Sequence, residues 1–585
     1  MKDLLVGAQT FQKLIEGNYV YADKTKFIYD LARTQGAYFL SRPRRFGKTL
    51  LLSTFEALFS SPLESEGPET GLFSGLWLEK KIKELNAKGK KTLFDFNQTY
   101  PIIRLDMSGD TSTVDGFRES ILKKLEVINR SEGLGLKITL PGADLSTIIQ
   151  RMSEKYEKEV VVLVDEYDAA VSDNISNIDI AMNNRDTLKD FYSGFKNTDK
   201  YLRFVFVTGV TRYALMGLSS GLNHLVDLTF KSEYAGICGF TYRELDSCFK
   251  KHMKVALKKM KKSGDLRDTA DLDFLRKQIL RWYDGYSWDG KTRVLNPHSI
   301  LNLFDNYIFS RYWVNTYPSK SFLSVLMDLM NKDPFNLIRE ELDKSTITEL
   351  GVAEVGTLKP IPTLFQTGYL TVDTRLTSDT TEPNYLLKIP NWEIKSVNFD
   401  LFSDRLFELL KFDKQQQDDN FQKAINDMDE LELTRIFNSL FSGLPAIHHV
   451  DNESCYFKIL YGYCNQIKRL ILPEIPESIG TPDLIVVFPN SLYAVIELKY
   501  NVGKIGDIRA DTSTNAKEAV EEKSERIPAD NLLLRKLANN ALIAIRDKKY
   551  WAPFEKKAKK LVKIGIGVSY RGQCLALVGE PKDFS

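Results

Sequence analysis

Residues 160–164 read Val-Val-Val-Leu-Val and run straight into Asp165 and Glu166. A strand with no alternation of polar residues has no face to offer water, so it belongs inside a sheet covered on both sides, and such sheets are mostly parallel. The runs RFVFVTGV (203–210) and YPIIRLDMS (100–108) have the same character, and AYFLS (37–41) is a shorter version of it. Helical patterns separate these runs. An α/β fold is therefore expected, its parallel sheet flanked by helices on both faces. Ligands of open α/β sheets gather at the carboxyl ends of strands, where Asp165 and Glu166 stand.

AYFLS leads into SRPRRFGKT and then TLLLSTFEALF, which reads as strand, basic loop and helix. A phosphate-binding loop needs backbone N–H groups at a helix N-terminus, a lysine for the outer phosphates and a hydroxyl for Mg²⁺. Gly47, Lys48 and Thr49 supply these in the required order. The usual first glycine of such a loop falls at position 42, which is Arg42. Arg42, Arg44 and Arg45 are either a solvated basic turn or cations around the phosphates, restoring attraction lost with the glycine; the second reading is preferred. Asp165 is then expected to hold Mg²⁺ through water and Glu166 to polarise the attacking water. The alternative is that Asp165, Glu166 and Asp168 only decorate a strand end. Thr208 also ends a strand and either senses the γ-phosphate or turns the chain, and Arg212 is a candidate partner for a phosphate or an acid. The expected nucleotide set is Arg45, Gly47, Lys48, Thr49, Asp165 and Thr208, with Glu166 catalytic and with ATP and Mg²⁺ as cofactors. Thr49 and Asp165 are the metal ligands in that set.

At 585 residues the chain exceeds what one hydrophobic core serves. Three regions are expected: 1–240 around the parallel sheet, 241–395 largely helical, and 396–585. In the middle region YDGYSW (283–288) and LNPHS (295–299) punctuate helices, and GYLTVDT with NYLLKIP forms a hairpin, a winged-helix-like ending. Eighty basic against 78 acidic residues leave +2, so contact with nucleic acid must come from local patches. Five scattered cysteines without CxxC and five histidines without HExxH argue against a disulfide framework or a zinc site. With no apolar run of ~18 residues, no membrane partner and a cytoplasmic location are expected.

The last region, after the glutamine-rich DKQQQDDN (413–420), orders as helix (about 453–470), strands (483–488 and 493–500), a polar gap (501–531), helix (531–548) and strands (562–570 and 574–579). In GTPDLIVVFPNSLYAVIELKYN, Asp483 opens one strand and Glu497-Leu498-Lys499 closes the next. Strand alternation puts Glu497 and Lys499 on one face, and an antiparallel hairpin brings Asp483 beside them. Two carboxylates suit a hard cation such as Mg²⁺, which would activate a water that Lys499 positions. A purely structural hairpin is the alternative.

The segments GAQTFQKLIEGNYVYADKT (7–25), SRPRRFGKTLLLS, VVLVDEYDAAV, VTGVTRYALMGLSSGLNHLVDLT and RWYDGYSWDG…VLNPHSI together resemble the bacterial AAA-ATPase-like family that precedes a PD-(D/E)XK nuclease-like domain. The resemblance covers most of residues 5–315, and in that family the arginine-rich loop is the usual spelling. The order helix, strands, helix, strand resembles the PD-(D/E)XK superfamily, with NNALIAIRDKKYW and KIGIGVSY similar to its second helix and last strand. The resemblance implies that Asp483, Glu497 and Lys499 are the active-site trio. It also implies that Glu453, in the first turn of the earlier helix, helps to hold the metal; an acid favoured at a helix N-terminus is the other reading. The chain departs in having Ala544 where members often carry glutamine, before Tyr550, and in its longer polar gap. The function implied is a nucleotide-regulated, Mg²⁺-dependent nuclease acting on nucleic acid, DNA before RNA, with a homo-oligomer allowed. The alternatives are an ATP-switched scaffold on an inactive nuclease fold, or a remodelling ATPase whose basic runs KKMKK (258–262) and EKKAKK (555–560) touch phosphates.

Overall fold

The computed structural model describes residues 1–61, 71–89, 95–316 (apart from 176, 214, 223 and 267), 342–351, 359–376, 384–442, 453–467, 470–473, 484–501, 529–549, 555, 558–569 and 573–580. Packing divides the chain into two compact units, Met1–Lys332 with Glu340–Lys395, and Asp333–Arg339 with Ser396–Ser585.

The first unit is built on five parallel strands, β1 (Gly36–Ser41), β2 (Ile102–Asp106), β3 (Val160–Asp165), β4 (Leu202–Gly209) and β5 (Leu225–Asp227). Their order across the sheet is β2-β3-β4-β1-β5. Every residue of β3 and β4 is buried, as their unbroken apolar sequences require. The helix Lys48–Ser60 leaves β1 through the basic loop and buries Leu51, Leu52, Phe55, Leu58 and Phe59. Side chains of β1 to β4 pack with Phe117, Ile121, Leu145, Ile148, Leu188 and Phe191 of the flanking helices in one core. The mixed α/β architecture with its parallel sheet is consistent with a P-loop-like fold.

The same unit continues into helices Tyr242–Ser263, Leu272–Tyr283 and Pro297–Asn306, which share a core of Leu245, Phe249, Leu275, Ile279, Leu303 and Phe304. Each begins at a side-chain cap: Thr241 and Glu244 form a reciprocal capping box, Asp271 accepts from the N–H of Phe274, and Asn296 accepts from His298 and Ser299. Strands β6 (Phe240–Thr241) and β7 (Val294–Leu295) pair between these helices. The hairpin read from GYLTVDT and NYLLKIP is β9 (Thr371–Leu376) against β10 (Asn384–Lys388), and β8 (Leu342–Thr346) adds a third antiparallel strand beside β10.

In the second unit DKQQQDDN opens a helix. Asp413 caps Gln416 and starts the helix Lys414–Asp427, whose Phe421, Ala424 and Ile425 are buried at helical spacing. The helix Glu430–Ser442 follows. The sheet runs β11 (Leu470–Pro473), β12 (Leu484–Phe488), β13 (Leu492–Asn501), β14 (Lys560–Ser569) and β15 (Cys574–Val578) in that spatial order. Only the β13/β14 pair is parallel; the rest is antiparallel. The helix Glu453–Gln466 precedes this sheet in the chain, and the helix Ala529–Asp547 makes the crossover from β13 to β14. A Cβ on Gly565 would lie 2.1 Å from the Ala538 carbonyl oxygen, so the GIG of β14 lets that helix lie directly on the strand. The edge strand β15 is occupied by Glu430, Thr434 and Asn438, which bond to its backbone and block further pairing.

Candidate functional site

Gly47 has φ +93° at the N-terminus of the helix Lys48–Ser60, and nothing lies within 4 Å of where its Cβ would be. Backbone conformation, not space, demands glycine there. Lys48 is buried and donates from Nζ to the carbonyl oxygens of Arg42 and Pro43, both at 2.9 Å. Burial pushes its ammonium below the ordinary lysine range, while the charges of Asp165, Glu166 and Asp168 push the other way. The lysine thus faces the strand-end acids expected to share its site.

Asp165 is 3% exposed. Its Oδ1 accepts from Thr208 Oγ1 at 2.6 Å and from the Glu166 N–H at 3.1 Å, and its Oδ2 lies 3.5 Å from Arg104. Thr208 therefore orients the buried carboxylate across the β3/β4 pair. Glu166 sits in the left-handed region at φ +50°, a conformation that costs a non-glycine residue on the order of 1–3 kcal/mol. Burial raises its carboxyl above the usual range, Lys48 opposes that, and Asp106 adds to it. A carboxyl moved toward neutrality beside a lysine has the character of a proton acceptor for water.

Asp168 does something else. Its two oxygens accept the N–H groups of Val210 (3.0 Å) and Thr211 (2.6 Å) and the hydroxyls of Ser172 and Thr211, clasping the exit of β4. Arg212 pairs with Asp227 at 2.5 Å, and its backbone N–H donates to Gln366.

The preferred reading of the loop arginines needs correction at Arg42. Its guanidinium is fully buried behind the loop, donating to the carbonyls of Ser41, Thr229 and Tyr234 and lying 3.8 Å from the ring centre of Trp288. Desolvation lowers its pKa to about 10. Phe46 packs edge-on against Tyr286 and Trp288, so the loop is bedded on aromatic side chains. Position 42 therefore anchors the root of the loop. Arg44 bridges to Asp173 at 2.5 Å, and Arg45 is exposed at φ +66°.

A cavity of about 350 Å³ opens in front of Lys48 and Thr49. Arg44, Arg45, Lys48, Thr49 and Glu166 are among its polar lining residues. Leu5, Val20, Ala22, Ile237, Phe240 and Leu301 are among its apolar ones. A lining that combines cations with apolar side chains suits a molecule with a polyphosphate tail and a flat heterocycle. His298 also lines the cavity; burial and the nearby Arg45 hold its imidazole below the ordinary range. Sequence reasoning missed Arg104, Trp288, His298 and the apolar lining. For Val20 and Ala22 of that lining the available signal was the segment 7–25, recognised for its likeness but not assigned to the site.

A family profile described as predicted AAA-ATPase matches residues 5–219. An uncharacterised protein encoded in the vnfD 5′ region of Azotobacter chroococcum mcd 1 is 31% identical over 501 residues, 84% of this chain and 88% of that protein. The chain belongs to the same family as this relative, and its residues 5–219 form a predicted AAA-ATPase-like domain. The loop, Lys48, Asp165, Glu166 and Thr208 all fall within the stretch matched by the predicted AAA-ATPase profile.

The second constellation lies in the other unit of this AAA-ATPase-like chain. Glu497 is 3% exposed on β13, and its Oε1 is 3.2 Å from Lys499 Nζ. Lys499 also reaches Glu453 Oε1 at 3.3 Å, and Glu453 Oε2 accepts the Tyr500 N–H at 3.2 Å. Glu453, Glu497 and Lys499 are thus brought together, with the helix N-terminus of Glu453 against the end of β13. Asp483 and Tyr550 lie outside the described residues, as do residues 502–528 of the polar gap. Ala544 is partly exposed on the helix Ala529–Asp547. Among the described residues no cluster of three or more His, Cys, Asp or Glu side chains is placed to hold a metal, and no helix is long and apolar enough to cross a membrane.

Proposed function

We propose that the first unit binds and hydrolyses ATP with Mg²⁺. One observation carries this reading: Lys48, Thr49 and Glu166 line one cavity, and Asp165 is pinned by Thr208 at the adjoining strand end. The donor set fits the metal, since a hydroxyl and a carboxylate are the hard oxygen ligands Mg²⁺ prefers. Thr49 and Asp165 would hold the ion, which would neutralise charge on the phosphates when bound. Lys48 gives up its two loop carbonyls for phosphate oxygens, Glu166 takes the proton of the attacking water, and Thr208 keeps Asp165 aimed. Release of phosphate from ATP, lost in Lys48→Ala, is the test; wild-type turnover in that variant would remove the assignment.

A second reading concerns the other unit. The ion-paired group Glu453–Lys499–Glu497 at the end of β13, on a sheet whose order follows the helix, strands, helix, strand expectation, supports a Mg²⁺-dependent PD-(D/E)XK nuclease governed by the nucleotide. Asp483 is the proposed second metal ligand and nucleic acid, DNA first, the proposed substrate. The competing reading is an ATP-switched scaffold, because a fold carries activity only through its site. Mg²⁺-dependent cleavage of DNA or RNA lost in both Asp483→Ala and Glu497→Ala favours the nuclease; binding without cleavage favours the scaffold.

A further inference from the structure

The helix Trp392–Leu410 begins in the first unit and continues into the second, the boundary falling after Lys395. Its first turn carries Glu393, which is fully buried. One oxygen of Glu393 accepts the Ser299 hydroxyl at 2.8 Å, and the other accepts the Trp313 backbone N–H at 2.6 Å. Both donors lead to the nucleotide cavity. Ser299 follows the cavity-lining His298 on the helix Pro297–Asn306. Trp313 is 1% exposed, and its indole N–H donates to the carbonyl oxygen of Arg44 in the phosphate loop at 2.8 Å. Thr316, another cavity residue, donates to the Trp313 carbonyl at 2.7 Å.

The phosphate loop is therefore tied at one carbonyl to a buried tryptophan. That tryptophan is tied to a carboxylate on the helix that leaves the unit. Tyr286 and Tyr369 flank the Trp313 ring, with centroids 6.4 and 5.6 Å away, so the indole has little freedom to follow the loop without moving its own backbone. A carboxylate taken out of water is retained only with donors in place, and Glu393 has them from two cavity-lining segments at once. A shift of the loop on filling the cavity must change either the indole bond or the carboxylate's partners.

We infer that Trp313 and Glu393 are positioning residues that hold the phosphate loop from behind and pass its state to the helix Trp392–Leu410. The inference rests on nucleotide binding at the Lys48 loop. Trp313→Phe removes the indole donor and keeps an aromatic ring beside Tyr286 and Tyr369, with less volume. Glu393→Gln keeps the shape but sets an amide N–H among groups that donate.

The test uses the full chain. Binding of a fluorescent ATP analogue, ATP turnover, and hydrogen exchange of peptides within 392–410, with and without a non-hydrolysable ATP analogue and Mg²⁺, are measured for wild type and both variants. Wild-type exchange at 392–410 is expected to slow when the analogue binds. Each variant is expected to bind the analogue within about threefold of wild type, to lose most of that slowing, and to drop in kcat by about tenfold at similar KM. Full slowing and wild-type kcat in both variants would overturn the inference, as would a wild-type chain that binds the analogue with no change at 392–410. No binding by wild type would instead overturn the nucleotide reading beneath it. Should Glu393→Gln fail to fold, Trp313→Phe decides.

Discussion

Both units place a carboxylate in a buried strand, Asp165 at the end of β3 and Glu497 within β13, but they balance its charge differently. In the first unit Asp165 is held by a hydroxyl at 2.6 Å and has its nearest cation, Arg104, at 3.5 Å, while Lys48 is occupied with loop carbonyls. In the second unit Glu497 already has Lys499 at 3.2 Å, and Glu453 shares the same lysine. A buried acid must be neutralised by something. In the first site the acid is held by a hydroxyl and the lysine by loop carbonyls, whereas the second closes acid and lysine on each other. That contrast predicts tight dependence on a polyphosphate in one unit. In the other, a metal bound as proposed would have to compete with an internal ion pair.

The largest expected effect is at Lys48. Lys48→Ala removes the cation facing Asp165 and Glu166, and ATP turnover should fall at least about a thousandfold, on the order of 4 kcal/mol. A phosphate-release assay checks it, and a smaller loss would blur the contrast between the two sites.

Arg42 sharpens the same comparison, because a cation that anchors should affect folding and not phosphate affinity. Arg42→Met leaves the carbonyls of Ser41, Thr229 and Tyr234 without their donor and should destabilise the first unit by about 3 kcal/mol. Denaturant unfolding of wild type and variant reads this; unchanged stability with weakened nucleotide binding would return Arg42 to the phosphates.

Glu393 gives the fold a pH dependence of its own. Burial raises its carboxyl from 4.5 to about 7, so between those values the folded chain holds a proton that the unfolded chain has released. This group's contribution is most favourable at low pH and declines as pH rises from about 4.5 toward about 7, by roughly 3 kcal/mol in all. Melting curves across that range should show Glu393→Gln with a flatter dependence than wild type. Equal slopes would contradict the prediction.

The smallest effect is expected at Thr208. Thr208→Val removes one hydrogen bond to a buried carboxylate and should slow turnover by about tenfold or less while ATP still binds. Steady-state kinetics separates the two quantities.

The sequence told most where one physical demand acts on contiguous residues. Unbroken apolar runs required β3 and β4 to be buried on both faces, and they are. Glu497 and Lys499 were assigned to one face from alternation alone, and their ion pair joins them there. What stayed illegible depends on residues far apart in the chain. Arg42 looked like a phosphate ligand because its partners, Thr229, Tyr234 and Trp288, lie about 190 to 250 positions away. Trp313 carries no local pattern, since its meaning comes from Arg44 and Glu393. The helix Lys414–Asp427 was hidden by its polar first turns, although Asp413 supplied a cap and Phe421, Ala424 and Ile425 the buried stripe.

The most direct measurement of the central claim is ATP binding and turnover by Glu166→Gln. With the proton acceptor neutral but its shape kept, the variant should bind ATP about as tightly as wild type and hydrolyse it at least about a hundredfold more slowly. Wild-type hydrolysis by Glu166→Gln would contradict the account of this site.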